Sequence, residues 1–579
     1  MKSVNKDNKM MKNSGISRVL CNPVFMIILT GILTSLPLFL RGVDGASNQD
    51  LFFHLSRIEG IKEGLLAGHF PVKMQSVWFA GKGYPVGIYY GDFLLYFPAL
   101  LRIAGLPVIT AYKIFIFVIN LVICAVSFYS LYGIFKDRFI SIIGMILYTT
   151  SAYRFLDIYI RNSVGEYCAF IFFPIIALAF YETVISDRSA IKDLFGYTVL
   201  FAVGIAGLIC THILSAVISL FMLCVTSIFF IKKLFRKKSI IAVCISAFCT
   251  LLLSMGFLVP FMDYYMNVPI YGGGRLSAST DAAQIREYGA SVRDIFSFFK
   301  DPFGSNSIYY EQRMQLTVGM ALIGALLFGM IISAVRMRKH ETIALTLMSI
   351  LCLWMSTNLF PWNTLEGRTH LFRFLSKVQF PWRYLAPASL FIVILFCTVL
   401  KGLKESSAKK AGMFFAGVAV LGTVMFFISY LRGYTPVDYR DYSEVNSFNA
   451  GSAEYLVSAV ELGKLDYVPE NKDFEEYRIA RRKDDRILMY VKNDDEDRDL
   501  TIDKLLYPGY VVYLENGEKI TPHYGFNFLA AVNIPKNYEG NVEIRFESPV
   551  LWKVAEVISL ISLIGLTASY GFMRRRTKR

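Results

Sequence analysis

The sequence predicts a mainly α protein: a polytopic membrane helical bundle of about twelve transmembrane helices, with a small extracytoplasmic β domain before the last helix. Three observations point there. Of the 579 residues 55% are hydrophobic and only 18% charged. The apolar residues gather in runs of about 20, the length that crosses a hydrocarbon core. The basic residues stand in short clusters beside those runs, all on one side when the helices are counted alternately, as the positive-inside rule requires. That rule accounts for much of the +15 formal charge, so nucleic acid is excluded as a partner. All nine cysteines lie in or at the edge of apolar segments, without the paired spacings of a zinc or redox site, and read as small packing residues.

At the start, Lys2, Lys6, Lys9, Lys12 and Arg18 precede an apolar run over 23–40. That run is too long for the h-region of a signal peptide, so it reads as an uncleaved first helix with a cytoplasmic N-terminus. It delivers residues 41–109 outside, where 93–103 forms a re-entrant or interfacial stretch. A second helix, 110–135, returns inside at Lys136, Asp137 and Arg138. Later cytoplasmic turns fall at 187–193, 232–238, 336–340 and 401–410, with a basic tail at 574–579. The larger loops, 41–109, 154–165, 263–313, 360–383 and 431–549, all fall outside.

Three parts result: a membrane domain with catalytic external loops, 1–430; a β-rich domain, 431–549; and a final helix with a cytoplasmic tail, 550–579. The β reading rests on period-two alternation in Ile487, Met489 and Val491 and in Val542, Ile544 and Phe546. It rests also on Asn516-Gly517 between two strand-like runs, a hairpin signal. The acidic run 493–499 lacks calcium-loop spacing and reads as a solvated turn.

Chemistry-bearing residues gather beyond the first helix. A helix opening after Ser47 or Asn48 puts Asp50, His54 and Arg57 on one face and Leu51, Leu55 and Ile58 on another, so that it lies along the membrane surface. Asp50 has a bland alternative, because Ser47-x-x-Asp50 is also a capping box. Around the next external loop stand Arg154, Asp157, Arg161 and Glu166. Glu166 opens an apolar run, a costly place for a carboxylate unless it has a task or a partner, and Arg161 is the candidate partner. His212 interrupts an apolar stretch, either as a functional group or as a histidine satisfied by a backbone carbonyl at a helix end. Arg373 and Arg383 flank a segment where an arginine fork could grip a phosphate, with snorkelling beside Trp382 and Tyr384 as the alternative for Arg383. The aromatic, glycine-rich segment 68–93 stacks on sugars or anchors a loop in the interface, anchoring being the commoner use. Gly272, Gly273 and Gly274 are a candidate hinge for a closing loop.

The run DLFFHLSRIEGIKEGLLAGHFPVKMQSVWFAGKGYPVGIYYGDFLLYFPALL, followed by YIRNSVGEYCAFIFFPI, THILS and VQFPWRYL, resembles a family of bacterial polytopic membrane proteins. Its members often carry the label 6-pyruvoyl-tetrahydropterin synthase-related membrane protein, and the family looks like a branch of the GT-C glycosyltransferases. The likeness covers most of the chain. It implies a GT-C-like fold in the bacterial cell membrane, and transfer of a sugar from a polyprenyl-phosphate-linked donor to an envelope glycan, lipid or protein on the outer face. By resemblance Asp50 takes the position of the base, or in some branches of a metal ligand, and Glu166 matches the acid of the second external loop. Many relatives place two adjacent acids after the first helix, whereas here Gln49 precedes Asp50. No cofactor is assigned, a divalent metal at Asp50 being the one candidate. His54, Arg57, Arg161, His212, Arg373 and Arg383 are candidates for binding substrate or phosphate. Two other classes remain open: a flippase for lipid-linked glycans, and a non-catalytic envelope scaffold. Ion-coupled transport generally leaves ionisable residues near the membrane centre, whereas these cluster at helix ends.

Overall fold

The computed structural model describes residues 22–40, 43–44, 50–187, 191–270, 288–296, 314, 316–337, 339–432, 436–437 and 453–577. The basic N-terminal stretch, Ser47 and the Gly272–Gly274 hinge lie outside them. The chain is a multi-pass membrane protein. Among the described residues, eight helices are long and apolar enough to cross a bilayer, or nine if the bent pair Arg138–Thr149 and Ala152–Ile160 counts as one span.

The expected twelve spans are therefore not reached. Pro23–Leu33, Ile213–Phe229 and His340–Met355 fall on predicted spans but are short. Even the longest of them, at 17 residues, rises only about 25 Å against a core of about 30 Å. The first is cut by the turn at Thr34 and Ser35, where Thr34 bonds back to Thr30 and Gly31 through its hydroxyl. Phe93–Ile103 is likewise a short apolar helix, as its length suggested.

A small β region precedes the last helix. Strands β1 (Val43–Asp44) and β2 (Pro436–Val437) form one antiparallel pair. The others are β3 (Glu476–Lys483), β4 (Arg486–Asn493), β5 (Arg498–Leu505), β6 (Tyr510–Tyr513), β7 (Lys519–Ile520), β8 (His523–Tyr524), β9 (Leu529–Ile534) and β10 (Tyr538–Phe546). They make a five-stranded sheet, β3-β4-β10-β6-β7, and a three-stranded sheet, β5-β9-β8. The alternation in β4 and β10 buries Ile487, Met489, Val491, Val542 and Ile544 on one face. The Asn516-Gly517 turn joins β6 to β7, with Gly517 at φ 81°, a conformation glycine adopts without a Cβ penalty.

The helix after the first loop, Leu51–Ala67, departs from the expected surface helix. Leu51, Leu55 and Ile58 are buried as the pattern demands, but so are His54, Arg57 and Glu59. The helix is enclosed rather than laid on a membrane surface. Glu59 meets Arg102 in a buried ion pair and is also 3.3 Å from Lys62.

Most aromatics of residues 68–93 are not interface anchors, Phe70 and Phe93 being the exposed ones. Trp78, Phe79, Tyr84 and Tyr89 are buried in a second core that they share with Met489, Leu500, Tyr507 and Tyr510 of the β region. Polar bonds close the same seam. Lys82 reaches Asp503 at 2.9 Å, Lys504 donates to the carbonyls of Gly81 and Asp484 at 2.9 Å each, and the Leu505 amide donates to the Lys82 carbonyl at 2.9 Å. The Tyr455 amide donates to the Tyr84 hydroxyl at 2.9 Å, and Tyr455 stacks on Tyr89 with ring centres 5.0 Å apart.

His69 stands at one edge of this seam, with Nδ1 2.9 Å from Asp484 and Nε2 3.5 Å from Asp485. The hydrogen bond with Asp484 raises the imidazole pKa above its ordinary value of 6.5; burial opposes the shift and Asp485 assists it. Because the folded value is the higher, this contribution to stability is full below 6.5 and fades as pH rises through the folded value. Hydrogen exchange should therefore show residues 69–84 loosening with rising alkalinity, and His69→Gln should remove that pH dependence.

Candidate functional site

Four segments meet at the end of the bundle that carries the β region. The first is the start of the Leu51–Ala67 helix. Asp50 is its N-cap residue, and its backbone N–H donates to the Arg161 carbonyl at 3.0 Å. The carboxylate makes no capping bond to this helix, and the Ser47 half of the capping box read from the sequence lies outside the described residues. Burial raises the Asp50 pKa, while Arg161 and Arg383 pull it down and Glu166 adds a smaller push upward. Asp50 is thus a half-exposed carboxyl facing two guanidiniums and a second acid.

The second segment is the bend between Leu156–Ile160, a wide π-type turn, and the helix from Val164. Asn162 takes φ 55°, which folds the chain back on itself. Arg161 Nη1 then sits between Asp157 Oδ1 and Glu166 Oε2, 2.8 Å from each. Glu166 also accepts from Arg383 Nε at 3.2 Å and, through its other oxygen, from the Tyr153 hydroxyl. Both oxygens of Glu166 are engaged, so it is the anchor of two arginines and not a free base. Arg154 turns away, donating to the Thr149 carbonyl at 2.6 Å and to Asn120.

Arg383 supplies the third segment, in the short helix Pro381–Tyr384. Its Nη1 donates to the Val378 carbonyl at 2.7 Å and to Gln379 at 3.0 Å. With Nε on Glu166, only Nη2 lacks a partner among the described residues. Trp382 and Tyr384 are buried, so Arg383 does not snorkel to an interface. Arg373 is not brought in: it is exposed on the helix His370–Leu375, and the expected arginine fork does not form. The turn Ser376–Val378 separates the two side chains.

His212 is the fourth element, the N-cap of Ile213–Phe229. Its Nδ1 accepts from the Ser215 amide at 3.3 Å, so the ring is satisfied at a helix end, by an N–H and not by the carbonyl expected. Accepting at Nδ1 puts the proton of the neutral ring on Nε2. Burial, followed by Arg383, pushes this imidazole down to about 3, so neutral it stays. Gly165, next to Glu166, approaches the ring so closely that a Cβ there would lie 3.0 Å from His212 Cδ2. His212→Asn is expected to keep the helix cap and the melting temperature. An activity that uses Nε2–H is lost in the same variant, whereas equal activity would reduce His212 to a cap.

His54 and Arg57 are inside the protein but committed elsewhere. Arg57 donates to the Gly91 carbonyl at 2.8 Å and lies 4.1 Å from the centre of the Tyr90 ring. His54 lies 3.3 Å from Arg57 and 3.3 Å from the Val164 amide, and burial holds its pKa well below the ordinary value. These two brace the wall of the site. Gly91 belongs to that wall: a Cβ on it would overlap the Cys210 carbonyl oxygen, so the Tyr90-Gly91-Asp92 turn packs directly on the end of the Ile191–Thr211 helix.

Sequence reasoning missed Tyr153, Gln379 and Glu454. Glu454, in the turn Ala453–Tyr455 that leads into the β region, senses both Asp50 and Arg383. Burial raises its pKa although its side chain is accessible, the combination expected of an acid lining a recess. No sequence signal pointed to it, since it lies about 400 residues from Asp50.

The donors around Asp50 do not fit a divalent cation. Glu166 is bonded through both oxygens, two guanidiniums face the site, and no three ligand atoms converge there among the described residues. The one such convergence is His69, Asp484 and Asp485, at the seam. No step below runs through a metal.

No family model matches the sequence, and no curated protein does. Among solved structures the fold is similar to the arabinofuranosyltransferase AftD from Mycobacteria, at 13% identity and TM-score 0.39, over 70% of this chain and 26% of that one. It is similar to ArnT from Cupriavidus metallidurans bound to undecaprenyl phosphate, at 10% identity and TM-score 0.41, over 71% and 76%. It is similar also to the oligosaccharyltransferase of Archaeoglobus fulgidus in the apo form, at 14% identity and TM-score 0.41, over 74% and 58%. The chain thus spans about a quarter of the first and under two thirds of the third. None of the three carries the pterin-synthase-related label.

Proposed function

We propose that this chain is a membrane glycosyltransferase that moves a sugar from a polyprenyl-phosphate-linked donor to a cell-envelope acceptor on the outer face of the bacterial membrane. Both termini are then cytoplasmic and the β region external. The observation that carries the reading is Asp50: a carboxylate without a hydrogen bond among the described residues, set against Arg161, Arg383 and Glu166 at one end of a membrane bundle. A lipid-linked phosphate is held at the headgroup level, so residues at the ends of the helices are the ones that reach its sugar.

In this mechanism Asp50 takes the proton of the acceptor hydroxyl as its oxygen attacks the anomeric carbon. The bond from that carbon to the phosphate oxygen breaks, and the phosphate leaves with the electron pair. Arg383 Nη2 and His212 Nε2–H, each without a protein acceptor among the described residues, stabilise the charge that develops there. Glu166 and Asp157 hold Arg161 in place, and Glu166 holds Arg383. These two acids are positioning residues. Glu454 brings an acid from the β region to the same recess and orients the acceptor's hydroxyls.

The test is release of polyprenyl phosphate from a panel of polyprenyl-phosphate sugars by the protein in membranes, with acceptor extracts from envelope fractions. Transfer by the wild type that Asp50→Asn lacks supports the reading. Movement of labelled lipid across the bilayer without release would replace it with transport.

A further inference from the structure

At the end of the bundle away from the β region, a cavity of about 590 Å³ opens between five helical segments. They are Val108–Phe135, Phe172–Phe180, Ile213–Phe229, His340–Met355 and Leu385–Gly402. Its walls are apolar, with Phe173, Ile176, Met222, Met348, Leu390 and Phe391 among them. Its mouth is different: Lys233, Lys339 and Lys401 stand around it. The acids there are Asp187, which is paired with Arg236 at 2.8 Å, and Glu341. Lys233 spends one N–H on the Ile185 carbonyl at 2.9 Å, and Lys401 lies 4.0 Å from Asp137. The rim therefore keeps an excess of positive charge.

An apolar space of this size holds water poorly, since each water needs polar partners, and left vacant it forfeits dispersion contacts along its walls. Its volume lies within the range of pockets that hold small organic ligands. In a bilayer the material at hand is an acyl chain, and the lysines stand at helix ends, the depth of the phosphates. We propose that this cavity is a binding site for one anionic phospholipid of the adjoining leaflet. An acyl chain fills the space between the helices, and the phosphate is held by Lys233, Lys339 and Lys401. The site is separate from the recess at Asp50, and the inference does not depend on the glycosyltransferase reading. Its occupant wedges together helices too short to span alone, Ile213–Phe229 and His340–Met355, which both line it.

Native mass spectrometry of the full chain, released from bilayers of equimolar phosphatidylglycerol and phosphatidylcholine, reads this directly. One phosphatidylglycerol should remain bound per chain, enriched about tenfold or more over phosphatidylcholine, as three basic side chains near a membrane surface warrant. The triple variant Lys233→Gln, Lys339→Gln, Lys401→Gln alters only residues at the mouth and should lose the enrichment. Ala177→Trp projects a ring into the cavity and should expel the lipid altogether. Equal retention of the two lipids, or enrichment unchanged in the triple variant, would overturn the proposal. So would polyprenyl phosphate displacing phosphatidylglycerol at equal concentration, since the cavity would then serve a different lipid.

Discussion

Asp50→Asn is expected to lower sugar transfer by about 10²- to 10⁴-fold, the range a positioned base contributes, while leaving the melting temperature unchanged or slightly raised. The second half of that expectation follows from the geometry. Among the described residues the carboxylate neither caps its helix nor accepts a hydrogen bond, and burial already disfavours its charge. An amide of the same shape removes no contact. In the wild type, transfer should rise with pH as Asp50 ionises, with a midpoint above that of an ordinary aspartate because its pKa is raised. The Asn variant should show no such step. Lipid phosphate release across a pH series checks both. Transfer retained by a stable Asp50→Asn protein would leave Asp50 with no role in the reaction.

Glu166→Ala is expected to do the opposite to the balance of stability and activity. It strips the shared acceptor from Arg161 and Arg383 and leaves Arg383 hydrogen-bonded, among the described residues, only to the Val378 carbonyl and Gln379. Removing one member of a buried ion cluster destabilises by about 3–5 kcal/mol, so a large drop in melting temperature should accompany the loss of transfer. Glu166→Gln keeps an acceptor oxygen for the guanidiniums and for Tyr153, and should fall between. The contrast separates the two acids: one variant stable and inactive, the other unstable as well as inactive. Thermal unfolding in lipid, beside the transfer assay, distinguishes them.

Much of this arrangement was readable because polar residues inside apolar sequence stand out. Glu166 and His212 each interrupt an apolar stretch, and both fold to the same recess as Asp50. Charge clusters marked helix ends, and strict alternation marked β4 and β10. What sequence could not give is which partner each residue takes. Arg373 and Arg383 look like a pair in the chain, yet a single turn points one outward and the other into the protein. Arg57 looks free and is spent on a carbonyl and an aromatic ring. Glu454 arrives from a distant segment with no local mark at all. The count of spans failed for a related reason. Hydropathy sees apolar length, whereas the turns at Thr34 and Ser35 and at His212 are made by side-chain bonds to the backbone.

The seam between residues 69–90 and the β region also bears on how this protein can be recombined. Lys504 is wholly buried and its listeners are the carbonyls of Gly81 and Asp484, one on each side of the boundary. A chimera that exchanged residues 453–546 for those of a distant homologue would strand the buried Lys82 ammonium, which pairs with Asp503, and the mirror swap of residues 69–90 would leave Asp503 to Arg482 alone. The two stretches, hundreds of positions apart in the gene product, are therefore one heritable module that must be transplanted together.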